Sequence, residues 1–191
     1  MSKENWRPGT MIYPLPAVIV TVGSKPEEWN PLTVAWTGTI CSDPAMCYIS
    51  VRPERHSYPI LMKNMEFTIN LTTVDMARAT DWVGVRSGKD YDKWKESGLT
   101  PVPGVKVSSP SIEESPLSIE CRVKSVTELG THSMFIADVL NVRADTRWID
   151  PKTGRFDLKQ AGLMAYCHGH YYGLGEMIGK FGFSVQKEKK D

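Results

Sequence analysis

Arg52, Arg55, His56, Ser57 and Tyr58 fall within seven consecutive positions, directly after Ser50 and Val51. Guanidinium groups grip phosphate oxygens through two parallel hydrogen bonds, and hydroxyls add further donors. Residue types of this kind at this spacing can clamp a dianionic phosphate. A charged run of this kind is more commonly a solvated turn, so the residues before it decide the reading. Residues 32–40 form a strand-like run in which Thr33, Ala35, Thr37 and Thr39 share one face and Val34, Trp36 and Gly38 the other. Small side chains on one face leave room for a flat ring, and backbone N–H groups can bond its polar edge. Gly38 in mid-strand marks a bulge or a close approach by another group. Taken alone, Trp36 reads as core and Gly38 as a bulge. Taken with the cationic cluster, the pair predicts a slot for a planar aromatic ligand with a phosphate tail.

Several elements are needed to position these groups. Residues 17–22 are a β-branched run between Pro16 and Gly23, and residues 46–51 and 66–71 read as further strands. Ser42-Asp43-Pro44 breaks the chain between the strand carrying Trp36 and the one leading to Arg52. A short helix is expected between residues 58 and 65. A second starts at Thr72 or Thr73, with Asp75 in its first turn, and runs to about Val85. A third helical turn is expected over residues 90–96, where Tyr91 and Trp94 stand three apart. After a Pro-rich loop at 100–110, residues 116–128 alternate and residues 132–142 follow the turn at Gly130-Thr131, which predicts an antiparallel pair. The tail from Ala165 is rich in Gly and Tyr, and residues 187–191 form a charged end expected to fray. The pattern predicts a mostly β fold, a closed antiparallel split β-barrel with a few flanking helices, as one domain over residues 1–191.

Composition narrows the function classes. The chain has 191 residues, enough for a sizeable core, and a formal net charge of +1. That near-neutral balance gives no general attraction to nucleic acid or to an acidic membrane surface. No apolar run approaches a bilayer span, and the first residues lack a signal-peptide pattern, so a cytoplasmic protein is expected. The even count of Cys41, Cys47, Cys121 and Cys167 is weak evidence for disulfides, and three of the four lie in apolar or strand-like surroundings, where a reduced Cys packs as a small hydrophobe. Cys167-His168-Gly169-His170 lacks a second ligand pair for a metal, so none is assigned. Gly173-x-Gly175 with Gly179 has the wrong spacing and no strand–helix–strand context for a dinucleotide loop.

Several ordered blocks together resemble the flavin reductase-like family of FMN-binding split barrels, and within it the flavoredoxin branch. They are PLPAVIVTV at 14–22, N-x-x-T-V-A-W at 30–36, S-D-P at 42–44, Y-I-S-V-R-P-x-R-H-S-Y at 48–58 and F-T-I-N-L at 67–71. S-P-L-S-I-E-C at 115–121 and G-T-H-S-M-F-I-A-D-V at 130–139 follow. The resemblance covers roughly residues 12 to 145 and part of the tail. It implies non-covalent FMN, with Thr33, Val34, Ala35, Trp36 and Thr37 against the ring. Ser50, Val51, Arg52, Arg55, His56, Ser57 and Tyr58 would surround the phosphate end, and Lys93 would approach the flavin. His132 is implied beside the flavin, where it could orient a nicotinamide; a lone turn histidine is otherwise usually structural. Ala137-Asp138 stands where many relatives have a glycine and an acid.

The implied activity moves electrons from NAD(P)H through FMN to free flavin, a ferric complex or a partner protein, in a homodimer. Two other readings stay open on the same barrel. One is an electron carrier that does not oxidise NAD(P)H, and the other is a flavin-free binding module. For Tyr171 and Tyr172 ordinary packing is the expectation, with a flap over the ring as the alternative.

Overall fold

A computed structural model describes residues 1–185; the predicted charged end at 187–191 lies outside them. The strands are β1 (Leu15–Pro16), β2 (Val18–Val22), β3 (Asn30–Val34), β4 (Thr37–Ser42), β5 (Ala45–Val51) and β6 (Glu66–Leu71), then β7 (Pro101–Val102), β8 (Ser111–Ile112), β9 (Leu117–Glu128), β10 (Ser133–Ala144), β11 (Met164–Cys167) and β12 (His170–Gly173). The α-helices are α1 (Ser57–Asn64), α2 (Ala77–Val85) and α3 (Lys93–Ser97). The main sheet has seven strands in the order β3-β2-β6-β9-β10-β5-β4, and every pairing is antiparallel. A separate three-stranded sheet runs β1-β11-β12.

The mostly β, antiparallel architecture agrees with the sequence reading, but the sheet is not a closed barrel. Its two edge strands, β3 and β4, are consecutive in the chain and share no ladder. Residues 32–40, expected as one strand, break at Ala35 and Trp36. There the chain turns on itself, with Thr37 N donating to Ala35 O at 3.1 Å and Ser50 N donating to Trp36 O at 2.8 Å. A closed ladder needs both edges extended and in register. The bend at Ala35-Trp36 leaves the two edges apart.

All five residues of β2 are buried, because both faces of this strand are covered. Val18, Val20 and Val22 face the main core with Leu32, Ile49 and Phe67. Ile19 faces the other way, into a second cluster with Met76, Val83, Leu99 and Ile112, on which Trp82 and Trp94 pack. That second cluster fixes α2 and α3 against the outside of the sheet. Met76, Thr80 and Val83 present the helical spacing of a buried stripe. Thr73 does stand at the N-terminus, ahead of a 3-10 turn at Val74–Met76, though its side chain makes no cap bond. In α3, Asp92 caps the N-terminus by accepting from Lys95 N at 3.2 Å, and Gly98 closes the helix at φ +71°.

Asn70 on β6 ties three elements together. Its Nδ2 donates to Ile19 O at 3.0 Å, and its Oδ1 accepts from Ile112 N at 3.0 Å and Ser118 Oγ at 2.7 Å. The side chain is fully buried. Asn70→Leu keeps the volume and strands these partners away from water, so it should lower stability by about 2–4 kcal/mol in urea or thermal unfolding.

Candidate functional site

The opening left between β3 and β5 is a groove. Its first lobe encloses about 370 Å³ and is walled by Thr33, Val34, Ala35 and Trp36 on one side and Ser50, Val51 and Arg52 on the other. The bend at Ala35 and Trp36 places their N–H groups outside both strand ladders. His132 stands at the mouth. Its ring is parallel to that of Trp36, with planes 3° apart and centroids 6.3 Å apart. The β9–β10 hairpin sets this position: Gly130 turns at φ +80°, and Leu129 N donates to His132 O at 2.8 Å. Partial burial and the nearby Arg52 and Arg55 lower the His132 pKa, with Glu54 opposing, which favours the neutral imidazole. Its Nδ1 lies 2.9 Å from Thr131 Oγ1.

The second lobe, of about 260 Å³, continues from the first across Leu32, Thr33, Arg55 and Gly84. Arg55, His56, Ser57 and Lys93 line it. The end of β5 and the first turn of α1 bring Arg55, His56 and Ser57 together, with the helix N-terminus adding partial positive charge. Ser57 Oγ accepts from Asn30 Nδ2 at 2.6 Å, which leaves its own proton free to donate. Arg55 is anchored by a 3.2 Å bond to Gly84 O. Lys93 is only 5% exposed and donates to Val83 O at 2.7 Å and Pro31 O at 3.0 Å. Burial, with some repulsion from Arg55, pulls its pKa from an ordinary 10.5 down to about 8.

Two glycines allow neighbouring side chains to pack closely beside the groove. A Cβ at Gly84 would stand 3.0 Å from Thr33 Cβ, and one at Gly88 would stand 2.0 Å from Asn30 Oδ1 and 2.9 Å from His56 Cδ2. Thr33 is itself held by a bond from Oγ1 to Thr80 O.

The structure therefore divides the expected site residues. Thr33, Val34, Ala35, Trp36, Ser50, Val51, Arg52 and His132 surround the ring-sized lobe, whereas His56, Ser57 and Lys93 surround the cationic lobe and Arg55 borders both. Ser50 and Arg52, expected together with His56 and Ser57, line the first lobe, whereas His56 and Ser57 line the second. Arg52 is exposed and its Nε pairs with Glu54 at 2.7 Å. Thr37 and Tyr58 line neither lobe. Thr37 is buried and donates to Tyr48 O at 2.6 Å, while the Tyr58 hydroxyl meets Ser133 Oγ at 2.9 Å beside Phe135. Gly38 makes room for Tyr48, whose Cε1 would be 3.2 Å from an added Cβ, rather than for a ligand.

Ala17, Leu32, Asp81, Gly84, Val85 and Tyr166, none of them expected at the site, also line the first lobe. Tyr171 also lines this lobe and donates to Asp81 Oδ1 at 3.2 Å. Tyr172 is outside the lobe. Cys167, His168, Gly169 and His170 form a tight hairpin turn, with His168 at φ 48° and Gly169 at φ 87°. Among the described residues no group of three metal-ligating side chains occurs, and no helix is long and apolar enough to cross a membrane.

Lys93 should give folding stability a distinct pH signature. Below pH about 8 both folded and unfolded chains hold its proton; between about 8 and 10.5 only the unfolded chain does. Stability should therefore rise with pH across that window, and the difference curve between wild type and Lys93→Met in denaturant titrations should carry the slope.

Comparisons with known proteins agree with this geometry. A family model described as a flavin reductase like domain matches residues 10–175. An uncharacterized protein of Pyrococcus abyssi is 32% identical over 130 residues, spanning 68% of this chain and 74% of the relative. The structure of flavoredoxin from Desulfovibrio vulgaris (Miyazaki F) superposes with a TM-score of 0.88 at 28% identity, covering 97% of this chain and 100% of that one. An FMN-binding protein from Thermus thermophilus, solved with bound 1-cyclohex-2-enone, has the same fold at a TM-score of 0.77 and 23% identity, covering 94% and 98% of the two chains. With its ordered motifs, its open antiparallel sheet and its two-lobed groove, this chain belongs to the flavin reductase-like family.

Proposed function

We propose that the groove binds flavin mononucleotide non-covalently and that the protein is an NAD(P)H-dependent oxidoreductase, passing electrons to a small-molecule or protein acceptor. The supporting observation is the polarity of the groove: a thin-walled lobe with ring-stacking groups at one end, and Arg55, His56, Ser57 and Lys93 at the other. The Thermus protein that shares the fold is named for binding FMN. The residues present fit that ligand. Arg55, Arg86 and Lys93 line the second lobe, which is suited to a phosphate dianion.

Bound there, a flavin would supply the hydride-accepting and electron-relaying chemistry. The chain's own residues do the positioning. The N–H groups of Ala35 and Trp36, outside the ladders, serve as donors for the polar edge of the ring. Arg55 and Lys93 would neutralise the phosphate, His56 and Ser57 would hydrogen-bond to it, and Thr33, fixed by Thr80, borders the passage between the lobes. His132, with Nδ1 next to Thr131, has Nε2 free to bond the carboxamide of an incoming nicotinamide. Tyr171 and Tyr166 close the opposite wall.

A second reading, an electron carrier that leaves NAD(P)H untouched, is supported by the 28% identity to a flavoredoxin over nearly the whole chain. Anaerobic mixing with NADH, then NADPH, separates the two. Loss of the flavin's visible absorption with either donor is the expected result, and no loss with both would leave the carrier reading. We also expect a cytoplasmic homodimer. Residues 139–144 of β10 pair with β9 alone, and Leu140 and Val142 there are exposed apolar side chains suited to a second copy.

Arg55→Ala should weaken FMN binding by about 1.5–3 kcal/mol in a fluorescence titration, the size of a charge-assisted hydrogen bond. His132→Ala should leave FMN affinity unchanged and slow reduction by NAD(P)H by roughly tenfold or more in stopped flow. Unchanged kinetics would make His132 structural.

A further inference from the structure

Asp81 supplies the one carboxylate among the described residues that line the first lobe. Packing on the other side of its helix sets its position. In α2, Thr80 O accepts from Thr33 Oγ1, and Val83 packs with Ile19 in the second apolar cluster. With those residues turned to the sheet, Asp81 falls on the side of α2 that borders the lobe and solvent. Tyr171 donates to its Oδ1 from the β11–β12 hairpin. There Tyr171 stands opposite Tyr166, with the two rings 5.9 Å apart and 62° between their planes. Burial and the Asp81 carboxylate push the Tyr171 hydroxyl up to about 12, so the phenol keeps its proton.

This pairing satisfies the carboxylate without cancelling its charge. An ion pair would cancel it, but among the described residues no salt bridge includes Asp81. The two cations of the lobe are held elsewhere, Arg52 on Glu54 and Arg55 on Gly84 O. Charge beside a flavin ring sets how readily the ring accepts electrons. A flavin that takes up two electrons and one proton gains one negative charge, which a neighbouring carboxylate opposes. We infer that Asp81 holds down the reduction potential of a flavin in the groove, with Tyr171 fixing the carboxylate at the lobe. This rests on the flavin reading above and adds to it a residue that tunes the ring rather than binding it. A lowered potential makes the reduced protein the stronger donor toward its acceptor.

The test is the midpoint potential of the FMN-loaded full chain, read at equilibrium against a redox dye. Wild type is compared with Asp81→Asn, Asp81→Glu and Tyr171→Phe. Asn keeps an acceptor for the Tyr171 hydroxyl and removes only the charge, at an exposed position where folding is spared. Asp81→Asn should shift the ratio of affinities for reduced and oxidised FMN toward the reduced form by about fivefold, the size expected of one partly exposed charge. That is a rise of about 20 mV, at about 30 mV per tenfold for a two-electron couple. Asp81→Glu should stay near wild type, and Tyr171→Phe, which keeps the carboxylate, should not raise the potential. An unchanged potential in Asp81→Asn would overturn the proposal and leave the flavin reading intact. So would an equal rise in Tyr171→Phe, since the hydrogen bond and not the charge would then be responsible. Failure of FMN to bind the wild-type chain would remove this proposal and the flavin reading together.

Discussion

The strand break at Ala35-Trp36 is the constraint on which the rest depends. A seven-stranded antiparallel sheet of this curvature could close on itself if its edges paired. Here the chain bends between β3 and β4, and Trp36 O is satisfied by Ser50 N instead of by a ladder. Unpaired backbone groups inside a protein are costly unless water or a ligand meets them. The fold concentrates that requirement at one seam and surrounds it with side chains suited to a heterocycle. The interruption of the sheet and the groove beside it are thus one structural fact.

The seam also needs an outer wall, and the second apolar cluster supplies it. Ile19 on the outward face of β2 packs with Met76 and Val83, which fixes the C-terminal end of α2 beside β3. Gly84 then meets Thr33 at contact distance, and Gly84 O holds Arg55. The buried Lys93 reaches back to the carbonyls of Pro31 and Val83, crosslinking β3, α2 and α3. A buried ammonium costs desolvation energy, consistent with its lowered pKa. An anion in the adjacent lobe would offset that cost. The same side chain thus serves as a structural crosslink and as part of the cationic lobe.

Much of this was legible in local sequence. β6 spans residues 66–71 as expected, and the β9–β10 pairing follows from alternation and the turn at Gly130. The cationic lobe was legible because Arg55, His56 and Ser57 are adjacent in the chain. The bend at Ala35-Trp36 was not, since Thr33 to Thr39 alternates without a proline or a turn dipeptide. Missing that bend put Thr37 on the wrong face: it is buried against Tyr48. Tyr58 looked like part of the clamp by position alone, but the first turn of α1 directs it toward Phe135. Asp81, Tyr166 and Tyr171 meet the ring lobe through long-range packing that leaves no local pattern. Gly84 within a helical stretch was the one available signal, since a glycine there usually answers to a close neighbour.

The separate sheet of β1, β11 and β12 is the last to be complete in sequence. Its strands come from the two ends of the described chain, and it delivers Tyr166 and Tyr171 to the ring lobe. The seven strands of the main sheet are all encoded by residue 144, some 20 residues before β11 begins at Met164. The main sheet is thus complete in sequence before the segment that carries Tyr166 and Tyr171 begins.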